Sequence, residues 1–185
     1  MKSFLFILIV SLLFSCQNQS EISNDFQCDS KDIKNLEVIK DVKGLFSVKY
    51  PKNWKTNLFY DDIQSSIYSA DTTKQLTETL LIDVTFIKKE INFNDAFKLK
   101  KEQESLSKNL IQTKSKKINL LNKPSFYTVS KGKKGKFPYQ ICNIYIKINN
   151  NNFIFAKAEI YGDSLVNQRL CKGFSLIEKI KIHQL

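Results

Sequence analysis

The chain has 185 residues, 42% of them apolar, and a formal charge of +11. That length suits one domain with a buried core and leaves little room for a second. Of its 29 basic residues all but Arg169 are lysines, spread over the whole chain. This excludes the clustered, arginine-rich patch of a nucleic-acid reader, so the charge reads as a solvated surface with no nucleic-acid partner.

Residues 1–15 read as a lipoprotein signal peptide. Lys2 supplies the positive start, and residues 4–14 are apolar apart from Ser11. A membrane-spanning helix needs about 20 apolar residues, so this run is a signal core. It ends in Leu13-Phe14-Ser15-Cys16, which resembles a bacterial lipobox. The resemblance implies cleavage before Cys16, acylation of its sulfur and its new amino group, and stable attachment by several acyl chains. Gln17 follows, not the Asp that often retains such proteins in the inner membrane, which points to the outer membrane facing the periplasm. Residues 16–35 are mostly Gln, Asn, Ser, Asp and Lys, the composition of a flexible tether.

A single domain is expected over 36–185. A short strand covers 36–39, and 41–44 can turn it into a second strand at 45–50. There Phe46, Val48 and Tyr50 alternate with Ser47 and Lys49. Pro51 ends the ladder, and Trp54, the only tryptophan, closes one end of the core. Strands follow at 56–60, 66–70 and 79–88, the last with Leu80, Ile82, Val84 and Phe86 on one face. A helix capped by Asn92 comes next, with an inward stripe of Ala96, Leu99, Gln103, Leu106 and Leu110. Four strands are predicted at 116–121, 124–131, 137–149 and 152–161, with a hairpin at the four asparagines 149–152. A closing helix over 163–180 is broken and capped by Gly162-Asp163 and turns Leu165, Val166, Leu170, Phe174 and Ile177 inward.

The order of elements, and the opening stretch G-L-F-S-V-K-Y-P-K-N-W at 44–54, resemble the PsbP-like family. Gly44, Phe46, Val48, Tyr50, Pro51 and Trp54 stand in the roles of its motif, the tryptophan one place later than usual. Asn122-Lys123-Pro124-Ser125 is similar to a turn that precedes a hairpin in that family. The resemblance covers about residues 36–182. It implies an α+β fold, an α/β/α sandwich around a central antiparallel sheet. It also implies a mostly non-enzymatic setting: accessory subunits of membrane complexes, small binding partners and bacterial lipoproteins.

Motifs for chemistry are scarce. His183 is the one histidine and lies near the C-terminus, a poor place to hold a catalytic base. No G-x-S-x-G, H-E-x-x-H or Gly-rich phosphate loop occurs, and no cysteine pair has metal spacing. Asp61 and Asp62 read as solvated loop acids. No catalytic residue, metal or cofactor is therefore expected. With Cys16 acylated, three cysteines remain in an exported chain, and three pairings are open. Cys142 sits on an apolar strand face and reads as a buried thiol, which favours a Cys28–Cys171 bridge. Lys131, Lys133, Lys134 and Lys136 form the densest charge cluster, expected at a mobile hairpin tip and a candidate contact surface for an acidic partner or anionic lipid. The sequence thus points to a lipid-anchored, non-enzymatic accessory or binding module of the cell envelope, contacting a membrane-associated protein. The alternative is a carrier of a small apolar ligand between sheet and helix, and an enzyme comes third.

Overall fold

In a computed structural model of the chain, residues 19–29 and 32–183 are described. The signal peptide at 1–15 and the acylation site Cys16 lie outside the described residues. The strands are β1 (Leu36–Lys40), β2 (Phe46–Pro51), β3 (Lys55–Tyr60), β4 (Gln64–Ala70), β5 (Leu81–Ile87), β6 (Leu110–Leu120), β7 (Lys123–Lys134), β8 (Phe137–Lys147), β9 (Phe153–Tyr161) and β10 (Lys181–Ile182). The helices are α1 (Glu21–Asp25), α2 (Asp95–Leu106) and α3 (Val166–Ile177). Seven strands form one sheet in the order β3-β4-β5-β9-β8-β7-β6, and β1-β2-β10 form a second. Every pairing is antiparallel. The large sheet lies between α2 on one face and α3 with the small sheet on the other, the expected α/β/α sandwich.

The main core lies under α3. Ile82, Val84 and Phe86 of β5 meet Cys142, Ile144 and Ile146 of β8 and Ile154, Ala156, Ala158 and Ile160 of β9 there. Leu170, Phe174 and Ile177 reach down from α3, and Phe46, Val48 and Tyr50 from β2. The β1–β2 turn is built by Asp41, whose carboxylate accepts from the backbone N–H of Lys43 at 3.0 Å and of Phe46 at 2.9 Å. Trp54 closes this core, 5.9 Å from the Tyr50 ring and beneath the Lys172 ammonium at 5.0 Å. Gly173 lets α3 approach closely, since a Cβ there would stand 3.2 Å from the Ala158 Cβ.

Three expectations need correction. The tether expected at 16–35 is not a free linker where it is described. Residues 19–29 dock, with Ile22 fully buried and Phe26 packed 4.9 Å from the Phe174 ring. Ser20 caps α1, and Ser20 and Ser23 both donate to the Glu178 carboxylate. Cys28 is bonded to Cys171, with Cα atoms 5.3 Å apart, which holds this segment to α3. Burying one isoleucine is worth roughly 1.5–3 kcal/mol, so three apolar anchors outweigh a polar composition.

Helix α2 is rotated from the expected register. Asn94 caps it, accepting from Phe97 N–H at 2.9 Å, while Asn92 bonds Glu90 instead. Ala96, Leu99, Gln103 and Leu106 are exposed, and Phe97, Lys101 and Ser105 face the sheet. The reason is aromatic packing: Phe97 joins Phe93, Phe126 and Tyr145 in an edge-on cluster with ring centroids 5.2–5.6 Å away. Helix α3 starts later than expected, after Leu165, which has a left-handed backbone (φ 49°), lies exposed and makes no side-chain cap. Gly162 makes the break with φ 77°, packed against Thr77, and the Arg169 guanidinium gathers the carbonyls of Thr79, Tyr161 and Ser164.

Candidate functional site

One helix, about 10–12 Å across, covers only about two strands spaced roughly 4.8 Å apart. On the α2 side of the seven-stranded sheet, α2 runs over β7 and its neighbours and leaves β8, β9 and β5 partly open. The result is a groove of about 640 Å³ between helix and sheet. Lys101 and Glu104 of α2 and Lys108 just beyond its end form one wall, and Ile141, Asn143, Phe155, Lys157 and Glu159 lie along its floor. Strand alternation places these residues: β8 sends Cys142 and Ile144 to the core and Ile141 and Asn143 to the groove, and β9 divides the same way.

At the end of the groove near the β7–β8 turn, Glu159 is the hub. It accepts from the Tyr139 hydroxyl at 2.7 Å and lies 3.7 Å from Lys157 and 3.5 Å from Lys134. Lys157 also pairs with Asp83 at 2.7 Å. The Lys134 ammonium stands 5.0 Å over the Tyr139 ring and 5.3 Å over that of Tyr161. At the α2 end, Lys101 pairs with Glu104 at 2.7 Å and lies 5.3 Å over Phe97 and 5.2 Å over Tyr145. The Tyr145 and Phe155 rings stack at 4.8 Å. Ser105 and Ser130 hydroxyls meet at 2.9 Å behind the helix.

Three phenols and one ammonium of this face are shifted away from neutrality. Burial, then the Glu159 charge, pushes the phenols of Tyr139 and Tyr68 up. Burial, then Glu104, raises that of Tyr145. A hydrogen bond to Tyr161 raises Lys134, against a smaller loss from burial. A general acid or base works best with a pKa near the operating pH, and the shifts of these four groups move the opposite way. The groove offers aromatic faces, hydroxyls and paired charges. Lys108 also lines it and forms no ion pair among the described residues, so its rim carries surplus positive charge.

The four predicted contact lysines divide. Lys134 points into the groove, Lys133 borders the groove but alternation puts it with Lys131 on the other face of β7, and Lys136 sits at the turn 5.4 Å over Phe137. They do not form the loose tip expected, because β7 continues through Lys134 and pairs with β8 to Phe137, leaving Gly135 and Lys136 as the turn. Sequence reasoning missed Tyr139, Lys157 and Glu159. Their signal was present: β8 and β9 each carry aromatic and charged residues on the face opposite an apolar one. Asp61 holds its turn, accepting from Ile63 N–H at 2.8 Å and Gln64 N–H at 2.9 Å. Among the described residues no cluster of His, Cys, Asp or Glu is arranged to hold a metal ion, and no helix is long and apolar enough to cross a membrane.

No family model matches the chain, and no curated protein resembles it in sequence. Solved structures do resemble it in fold. Cyanobacterial PsbP from Synechocystis sp. PCC 6803 superposes with a TM-score of 0.56 at 9% identity, over 84% of this chain and 97% of that one. The Ran-binding protein Mog1p of Saccharomyces cerevisiae gives 0.54 at 8% identity, over 80% and 95%. A protein of Bacteroides thetaiotaomicron gives 0.51 at 12% identity, over 81% of this chain and 49% of its own. The chain has the PsbP-like fold.

Proposed function

We propose that this chain is a non-enzymatic member of the PsbP-like family, a lipid-anchored binding module of the bacterial cell envelope. It is tied through Cys16 to the outer membrane on the periplasmic side, and it contacts a membrane-associated protein through the groove beside α2. The observation that carries this reading is the groove itself: a sheet face left half covered, with aromatic platforms and a lysine-rich rim. The Cys28–Cys171 bridge supports export to an oxidising compartment. The fold neighbours lend support too, since the yeast structure is described as Ran-binding, a protein-recognition role on the same scaffold.

A second reading follows from the volume of the groove and the stacked Tyr145–Phe155 pair: a carrier for a small ligand with an apolar body. One experiment separates the two. A photo-crosslinking residue replaces Ile141 in the full chain, expressed in its own cells, with position 123 as control. The binding-module reading expects one envelope protein joined at 141 and absent at 123. A small-molecule adduct at 141 supports the carrier. Identical patterns at both positions overturn both. Lipidation is tested separately: a fatty-acid analogue labels the wild type, and Cys16→Ala loses the label and leaves the membrane fraction.

A further inference from the structure

The two edges of the seven-stranded sheet are finished differently. At the β6 edge, Lys114, Lys116 and Lys117 project, the register shifts between Gln112 and Lys114, and α1 is tied to it where Lys114 donates to the Asp25 carbonyl and Lys116 to the Asp25 carboxylate. Lysines, bulges and covering elements are the usual means of blocking strand addition. Among the described residues the β3 edge has none of these along its centre. There it pairs with β4 alone, and Leu58, Phe59, Tyr60 and, beyond the turn, Ile63 are 43%, 58%, 65% and 60% exposed. Such a row of apolar side chains beside unpaired backbone is a template for another strand.

The register identifies the partner. Asp61 N–H donates to the Gln64 carbonyl at 3.0 Å, so the pair 61–64 is hydrogen-bonded across the hairpin. Alternation along an antiparallel ladder then turns Phe59 and Asn57 toward β4 and leaves the backbone groups of Thr56, Leu58 and Tyr60 pointing outward. A two-fold axis at Leu58 therefore falls on an outward-bonding residue. It sets Thr56 opposite Tyr60 of the second copy, and Lys55 opposite its Asp61. Opposite charges meet at both ends, and the Phe59 rings of the two copies lie diagonally across the centre, within aromatic reach.

We propose that a second copy of this chain pairs here, β3 against β3 in antiparallel register about Leu58, joining two sheets into one. This surface lies on the sheet edge, apart from the groove, and the proposal does not depend on what the groove binds.

Leu58→Cys tests it in the full anchored chain. Membranes are treated with a short bismaleimide and resolved on denaturing gels, with the wild type as control. Cys142 does not compete, because it is buried. The expected result is a covalent dimer from Leu58→Cys, at least tenfold above wild type. Adding Lys55→Asp sets like charges opposite each other and lowers the yield at least threefold. Leu58 and Lys55 are exposed, so neither change threatens folding. A yield at the wild-type level, a product joining Leu58→Cys to a different protein, or a yield insensitive to Lys55→Asp would overturn the proposal.

Discussion

Ile154, Ala156, Ala158 and Ile160 point from β9 into the core beneath α3. Phe153, Phe155, Lys157 and Glu159, each one residue away, point to the other face. The first face is sealed by a helix, a three-stranded sheet, the docked segment 19–29 and a disulfide. The second is covered by one helix that packs on a small aromatic cluster and stops. A single strand thus serves stability on one side and recognition on the other, because its period of two divides its side chains between environments. The comparison predicts that substitutions on the sealed face act on folding and those on the open face act on binding.

The largest effect is expected from Trp54→Ala on the sealed face. Trp54 is 6% exposed, so its removal leaves a cavity and costs about 3–5 kcal/mol in urea unfolding. A cost below about 1 kcal/mol would mean that Trp54 does not seal the core. Cys171→Ser comes next. The bridge spans 143 residues of sequence, and its loss is expected to cost about 2–4 kcal/mol. Peptide mapping without reductant should recover Cys28 joined to Cys171 and Cys142 as a thiol. Free Cys28 and Cys171 in protein taken from the envelope would release the segment 19–29.

Asp25→Asn probes the docked segment, where Asp25 ties α1 to β6 and Tyr127. Burial raises the Asp25 pKa, but hydrogen bonds from Lys116 and Tyr127 and the charge of Lys114 outweigh it, so the folded value lies below 3.8. A depressed carboxylate stabilises the fold above its unfolded pKa and loses that contribution as pH falls through the folded value. Asp25→Asn is therefore expected to cost about 1 kcal/mol at neutral pH. The difference should shrink as acid unfolding is followed below pH 3.8. A difference independent of pH would mean that the charge is not involved. The smallest stability change belongs to the open face. Asn143→Trp fills the groove and is expected to alter unfolding by less than about 0.5 kcal/mol, yet to abolish crosslinking from position 141. Unchanged crosslinking would place binding elsewhere.

The sheet was legible because β2, β5, β8 and β9 show clean alternation, and the largest apolar residues mark the core side. The hairpin at 149–152 was legible from turn chemistry. What hid from the sequence was tertiary choice. The Leu99 and Leu106 stripe has the right spacing for a buried helix face, but Phe93 and Phe97 offered a better fit to Phe126 and Tyr145, and the helix turned toward them. The segment 19–29 looks like a linker by composition; Cys28 was its one legible anchor, and only the packing reveals Ile22 and Phe26 as the others. The groove was invisible for a related reason: Lys157 and Glu159 read as solvated alternation until β9 is seen to lie beside β5 and β8, where the helix leaves off.

On this reading a partner occupies the open face in the cell envelope, and lysine footprinting tests that without any substitution. Intact envelopes and purified full chain are acylated briefly under the same conditions, and each site is quantified by mass spectrometry. Lys108 on the groove rim is expected to react at least fivefold more slowly in the envelope, while Lys52 and Lys181, exposed elsewhere, keep their rates. An equal rate at Lys108 in both preparations would mean that the open face is free.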